Sequence, residues 1–251
     1  MNRYHIHAAL CQWCTKELIF MKRKAFQAAL PYTLPIFIGF LFIGLSYGFL
    51  MASKGFSIFY PIIMSIVIFA GAMQFVAVSL LLSAFHPLYA FLMTLMVNAR
   101  HLFYGISMLE KYKGTGWKKP YLLFGLGDEA FSINCTVEPP AGVDKNWFRF
   151  FVTLLIHLYW IVSTVLGAVL GAYIRFDTTG IDFVMTALFV VLFLGQWEHK
   201  SARRSAITGI ACTLLALAIF GSSQFVIPAM ILITGILLWK KNAYLTKEGP
   251  L

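Results

Sequence analysis

Six polar or ionisable side chains stand where the sequence is otherwise apolar: Gln74, Asn98, Arg100, His101, Asp128 and Glu129. Arg100 lies about nine residues before the end of its apolar run, so roughly 13 Å along a helix axis. At that depth a charge faces protein or a water-filled cavity, not lipid. Asp128 and Glu129 are the nearest acids in sequence at comparable depth, and Arg100 is expected to pair with one of them. Such a pair can simply hold helix register. The same groups can also hold a zwitterion. A carboxylate would go to Arg100 or to the exposed N–H groups of a half-helix. An ammonium would go to Asp128, Glu129, Gln74 or the carbonyls of a broken helix. Intramembrane ionisable residues mark transport routes, which favours the second chemistry. His101 and the acids can also carry a coupling proton, because histidine titrates near neutral pH. Phe69, Met73 and Phe75 would line an apolar pocket beside them. Gly71, just before Gln74, lets a backbone or a ligand approach. The purely structural alternative there is a helix contact at Gly71 and an interhelical hydrogen bond from Gln74.

These side chains need helices in a bilayer to position them. The chain has 251 residues, 60% hydrophobic and 12% charged, with a mean hydropathy of +0.79. Soluble domains carry about twice that charged fraction. The apolar residues cluster into long uncharged runs, so the fold class is all-α, a polytopic integral membrane protein. The net charge of +10 sits in loops and tails, as the positive-inside rule expects, and excludes nucleic acid as a partner. Cys11, Cys14, Cys135 and Cys212 form no disulfide framework, and no cleavable signal peptide is visible. No phosphate-binding loop of the Gly-x4-Gly-Lys-Ser/Thr kind occurs, so the chain is not itself an ATP-driven pump. No cofactor is expected.

The domain reading is a polar basic tail over 1–24, one transmembrane domain over 25–241 and a short tail over 242–251. In the first tail, His5, His7, Cys11 and Cys14 are zinc-ligand types, but a second half-site is missing, and no metal is expected. Met21, followed by Lys22, Arg23 and Lys24, is an alternative translation start.

The apolar runs are 28–52, 56–84, 87–109, 121–137, 150–174, 181–197, 206–220 and 225–239, about 7–8 transmembrane helices. Gly44 and Gly48 form one small-residue face, and Gly167 and Gly171 another. The run 56–84 contains the only carboxamide of its stretch, Gln74, and is broken or re-entrant near Gly71. The run 121–137 has Asp128 and Glu129 at its centre and is either a short span or a re-entrant segment lining a cavity.

Basic loops test this layout. Lys22, Arg23 and Lys24, then Lys145 and Arg149, then Arg203 and Arg204, then Lys240 and Lys241 all fit the cytoplasmic side, which puts both termini there. Simple alternation places the loop of Lys111, Lys113, Lys118 and Lys119 outside. Either 121–137 crosses and the rule is broken once, or 56–84 is re-entrant and the rule holds. Length favours the crossing. A faint internal repeat also pairs the Gly44/Gly48 span and Phe69–Phe75 with the Gly167/Gly171 span and Phe193–Trp197. Transporters built from repeats place their site at the repeat interface.

A rival chemistry is present in Gly44-Leu45-Ser46-Tyr47-Gly48, which matches the G-x-S-x-G nucleophile elbow. That elbow needs a strand-to-helix turn, and the context here is an apolar helix. An intramembrane serine hydrolase would need Ser46 activated by a histidine such as His157, which otherwise reads as a polar contact between helices. The chain is expected not to be an enzyme.

The stretch Phe69-Ala70-Gly71-Ala72-Met73-Gln74-Phe75, then Asn98-Ala99-Arg100-His101 with Tyr104-Gly105, then Asp128-Glu129, resembles the AzlC family of branched-chain amino acid permeases. The Pro35, Gly39, Gly44, Tyr47 and Gly48 opening and the Trp160, Gly167 and Gly171 span are similar too. The resemblance runs from Phe26 to about Trp239. It implies a bacterial inner-membrane exporter of leucine, isoleucine, valine or analogues, working with a small membrane partner of the AzlD type. A non-transporting membrane subunit is the other role such a chain could take. On this resemblance Gln74, Asn98, Arg100, His101, Asp128, Glu129, Phe69, Gly71 and Phe75 line the substrate route. One departure is Gly127, where the family pattern has threonine.

Overall fold

The computed structural model describes residues 3–84 and 86–173, with side chains from 17 onward, then the helix 200–220 and scattered positions between 183 and 239. His5, His7, Cys11 and Cys14, the tail 242–251, and Phe193, Gly195 and Gln196 of the suspected repeat lie outside the described side chains. Every element among the described residues is helical. Backbone contacts divide the chain into two units, Met1–Asp182 and Phe183–Leu251. The second contains α8 (Lys200–Phe220), in which Cys212 and Ala216 are buried.

The first unit is built on α1 (Arg3–Ser53) and α7 (Lys145–Tyr173). Both contain segments long and apolar enough to cross a membrane, Glu17–Ser53 and Lys145–Tyr173. They run parallel. Phe26 packs on Phe151, Tyr32 on Phe148, Phe40 on Trp160, and Ala52 lies against Gly171. The two expected glycine faces meet each other. A Cβ on Gly48 would overlap the Gly167 and Ala168 backbone, and one on Gly167 would stand 2.7 Å from the Leu45 Cα. Backbone cannot yield as a side chain can, so close approach here requires glycine. Gly48→Leu or Gly167→Leu is therefore expected to remove folded protein from the membrane, measured as loss of the monodisperse peak in detergent. Gly39→Ala, with open space around it, should leave that peak intact.

Between these helices the chain makes two broken hairpins. The first is α2 (Phe59–Val67) and α3 (Gly71–Leu82). The break is at Phe69 and Ala70. Phe69 has φ +43°, and among the described residues it alone is a non-glycine with positive φ. Ala70 is extended (φ −138°, ψ 90°). The chain reverses there. Met64 and Phe75 both contact Tyr47, through a 3.3 Å hydrogen bond to the sulfur and a ring pair at 5.3 Å. Gln74 donates to Ser65 Oγ at 3.1 Å, and these two residues flank the break symmetrically. Had α3 continued the direction of α2, Phe75 would lie roughly 16 Å beyond Met64.

The second hairpin follows α4 (Pro87–Met108) and a 3-10 turn (Gly116–Lys118). It consists of α5 (Lys119–Phe124) and α6 (Asp128–Thr136), broken at Gly125–Gly127. It also returns to its starting end. Its beginning, Lys118, lies over Trp147, and its far end is tied back where Lys111 donates to the Cys135 carbonyl and Lys145 to Glu138 at 2.8 Å. The apolar seam of Met108, Tyr112, Leu122 and Leu126 packs it against the end of α4.

Both 56–84 and 121–137 are broken and turn back, and two segments of the first unit, Glu17–Ser53 and Lys145–Tyr173, are long and apolar enough to cross, where the run count predicts five. Length was the basis of that prediction, and length does not report a reversal. The Lys111–Lys119 loop lands on the same end as Lys22 and Arg149. Lys22 and Lys118 share the Trp147 ring, and Arg149 donates to the Lys111 carbonyl at 2.6 Å. These basic residues thus share one end, as the positive-inside rule expects. The element order places a broken hairpin after each of α1 and α4. The expected repeat matched α1 to α7, and most of its second half, Phe193–Trp197, lies outside the described residues.

Candidate functional site

The two hairpin tips meet. A methyl group on Gly125 would overlap the Thr153 side chain and stand 3.8 Å from the Phe69 ring. Phe69 is also 6.4 Å from the Phe124 ring and 4.3 Å from the His157 imidazole, centroid to centroid. Glycine at 125 is what lets the second tip come this close to α7.

His157 joins the tips to α7. Its Nε2 is 3.2 Å from the Ser65 carbonyl and its Nδ1 is 3.1 Å from the Tyr121 hydroxyl. Helix α2 ends at Val67, and the reversal at Phe69 takes away the N–H that would continue the helix onto that carbonyl. Histidine fills the gap. A carbonyl only accepts, so Nε2 must be the donor, and a neutral ring then accepts the Tyr121 proton at Nδ1. One imidazole holds both hairpins.

Gln74 is fully buried in a filled network. Its carboxamide oxygen accepts from Trp160 Nε1 at 2.6 Å and its nitrogen donates to Ser65 Oγ, which is 2.8 Å from Thr164 Oγ1. The Trp160 ring covers Gly71, and Phe75 is buried on Tyr47. Gln74, Gly71 and Phe75 thus build the first tip, and Phe69 forms its apex. Gln74→Leu should leave Trp160 Nε1 unpaired. It is expected to lower stability by about 1–3 kcal/mol for that group, read as a fall in Tm of the purified protein.

Arg100 and Asp128 form the ion pair expected from their depth, with Nη1 to Oδ2 at 3.0 Å. Asp128 and Glu129 lie in the first turn of α6, where acids complement the helix dipole, and Gly127 caps it in extended form. The pair is incomplete: Arg100 Nε and Asp128 Oδ1 are buried without hydrogen-bond partners. Yet the side chains retain 37% and 30% exposure. Tyr104, one turn beyond Arg100, stacks on Phe131 at 4.3 Å and meets His101 edge-on at 5.8 Å. Asn98, His101 and Glu129 are half-buried around the pair.

The structure therefore separates the expected residues into two groups. Phe69, Gly71, Gln74 and Phe75 belong to the first tip. Asn98, Arg100, His101, Asp128 and Glu129 belong to α4 and the second tip. His157, Ser65, Tyr121, Trp160 and Thr153, which hold the tips, are absent from the sequence-derived set. The signal was available in part, because Ser65, His157 and Thr164 are polar residues inside apolar runs.

Ser46 is in the middle of α1 and donates to the Phe42 carbonyl at 2.8 Å. Both His157 ring nitrogens are engaged with Ser65 and Tyr121, so that histidine is not its base.

Two broken helices whose tips meet beside a partly exposed ion pair resemble the discontinuous helices of membrane transporters. The sequence places the chain more narrowly. The model of the AzlC protein family matches residues 35–174, and the chain belongs to that family. It is 59% identical over 213 residues to the branched-chain amino acid transport protein AzlC of Bacillus subtilis, covering 85% of this chain and 84% of that one. It is 41% identical over 209 residues to an uncharacterized membrane protein of Haemophilus influenzae, covering 83% and 86%. It is 27% identical over 215 residues to the inner membrane protein YgaZ of Escherichia coli, covering 80% and 82%. No solved structure matches it.

Proposed function

We propose that this chain is the large subunit of a secondary exporter of branched-chain amino acids in the bacterial inner membrane, working with a small AzlD-type membrane subunit. The basic loops and both termini face the cytoplasm on this reading, as the positive-inside rule requires. The observation that carries it is the Arg100–Asp128 pair at the second tip, partly exposed and with one unpartnered polar atom on each side.

A zwitterion answers both vacancies. Its carboxylate goes to Arg100 and the free N–H groups at the start of α6, and its ammonium to Asp128 and Glu129. Splitting the pair in this way costs little, because each charge exchanges one partner for another. Phe69, half-buried at the apex of the first tip, supplies an apolar wall for an aliphatic side chain, and Phe75 acts only by building that tip. Asn98 and His101 complete the polar wall. The name of the Bacillus subtilis relative supports the substrate class.

The test is accumulation of labelled leucine, isoleucine and valine in cells expressing the chain with and without its small partner, repeated after the proton gradient is collapsed. Lower steady-state accumulation of all three, lost without the partner, is the expected result. Unchanged accumulation with both subunits present refutes the export reading.

A further inference from the structure

We propose that the basic end of the first unit holds an anionic phospholipid headgroup on Lys22 and Lys118, at the seam between α1, the 116–118 turn and the start of α7. The inference is independent of what the protein transports.

Two ammonium groups converge on one indole. Lys118 Nζ is 4.0 Å and Lys22 Nζ 4.5 Å from the Trp147 ring centroid. Lys118 is only 9% exposed. Among the described residues neither lysine has a carboxylate within ion-pair distance. Of the acids at this end, Glu138 pairs with Lys145, Glu110 with Lys113, and Asp144 accepts from the Trp147 backbone N–H at 2.7 Å, while Glu17, exposed five residues before Lys22 on α1, makes no ion pair with either lysine. An aromatic face is a partial substitute for an anion, and two like charges on one ring repel. A phosphodiester between them removes that repulsion and gives each ammonium an oxygen to bond.

The surroundings select a lipid over a soluble anion. Trp117 stands edge-on to Trp147 at 6.2 Å and is 70% exposed, the position of an indole at the headgroup level. Leu123 and Phe124, next along the second hairpin, are exposed and offer an apolar track for an acyl chain. A free phosphate would use neither feature. The charge clustering also matches the basic sites between helices that bind anionic headgroups.

The experiment uses the purified full-length protein with any co-purifying subunit, delipidated in neutral detergent. Phosphatidylglycerol, phosphatidylcholine and inorganic phosphate are titrated separately, with lipid retention followed by native mass spectrometry and unfolding by temperature. Phosphatidylglycerol should be retained and raise Tm, and the other two should not. K22Q/K118Q should retain it about 30-fold more weakly, and K22Q alone about fivefold. Lys22 is the more exposed residue, so K22Q keeps the test decisive if the double variant does not fold. Equal retention of phosphatidylcholine, equal stabilisation by inorganic phosphate, or wild-type retention by K22Q would each overturn the proposal.

Discussion

If the proposed function holds, Arg100→Ala is expected to lower export of labelled leucine by roughly 30-fold or more, with the amount of protein in the membrane unchanged. The loss follows from the geometry of the pair. Arg100 is the cation that meets Asp128 at the second hairpin tip, and on the proposed function its guanidinium would also receive the substrate carboxylate. Alanine removes both functions and leaves Asp128 without its counter-ion. Arg100→Lys should recover only part of the activity, because an ammonium cannot present the forked donors of a guanidinium. Asp128→Asn keeps the shape and cancels the charge, so it should also fail. The measurement is efflux normalised to immunoblotted membrane protein. Full export by the alanine variant would mean that the pair only holds α4 against α6.

The second large effect is expected at His157. His157→Phe preserves the ring and its contact with Phe69 but breaks both hydrogen bonds. The Ser65 carbonyl and the Tyr121 hydroxyl are then left unpaired, at about 1–3 kcal/mol each. The two tips would no longer be tied to α7 at one point. Transport should fall at least as steeply as stability, because the tips are the parts that must keep their relative position. His157→Gln is the control. Its amide nitrogen can donate to Ser65 and its oxygen can accept from Tyr121, so it should regain much of the Tm. A phenylalanine variant with wild-type Tm and wild-type efflux would remove His157 from this role. The positive φ at Phe69 belongs to the same device, since such a conformation costs about 1–3 kcal/mol and persists only where its surroundings enforce it.

Much of this was legible from residue type and spacing. An arginine so deep in an apolar run has few partners available, and Asp128 was one of two. The small-residue faces at Gly44/Gly48 and Gly167/Gly171 were readable as contacts, although not as contacts with each other. Gly71 marked the first break correctly to within two residues. The basic loops already posed the topological question in the right form, with re-entry of 56–84 as one of its two answers.

The sequence by itself determined the class: a helical membrane protein, its basic loops, and the ionisable residues that lipid would not tolerate unpaired. Those follow from composition and from the cost of charge in hydrocarbon, which act residue by residue. Only the tertiary structure decided that both broken runs turn back. A hydrophobic run has a length but no direction, and its reversal depends on a single backbone conformation at Phe69 that phenylalanine does not prefer on its own. Tertiary structure also decided what Gln74 does. Its carboxamide could have faced a cavity or a partner helix, and the choice was made by Trp160 and Ser65, whose positions no local rule supplies. Arg100 and Asp128, by contrast, were constrained by depth and charge before any fold was known, and the structure placed them where those constraints required.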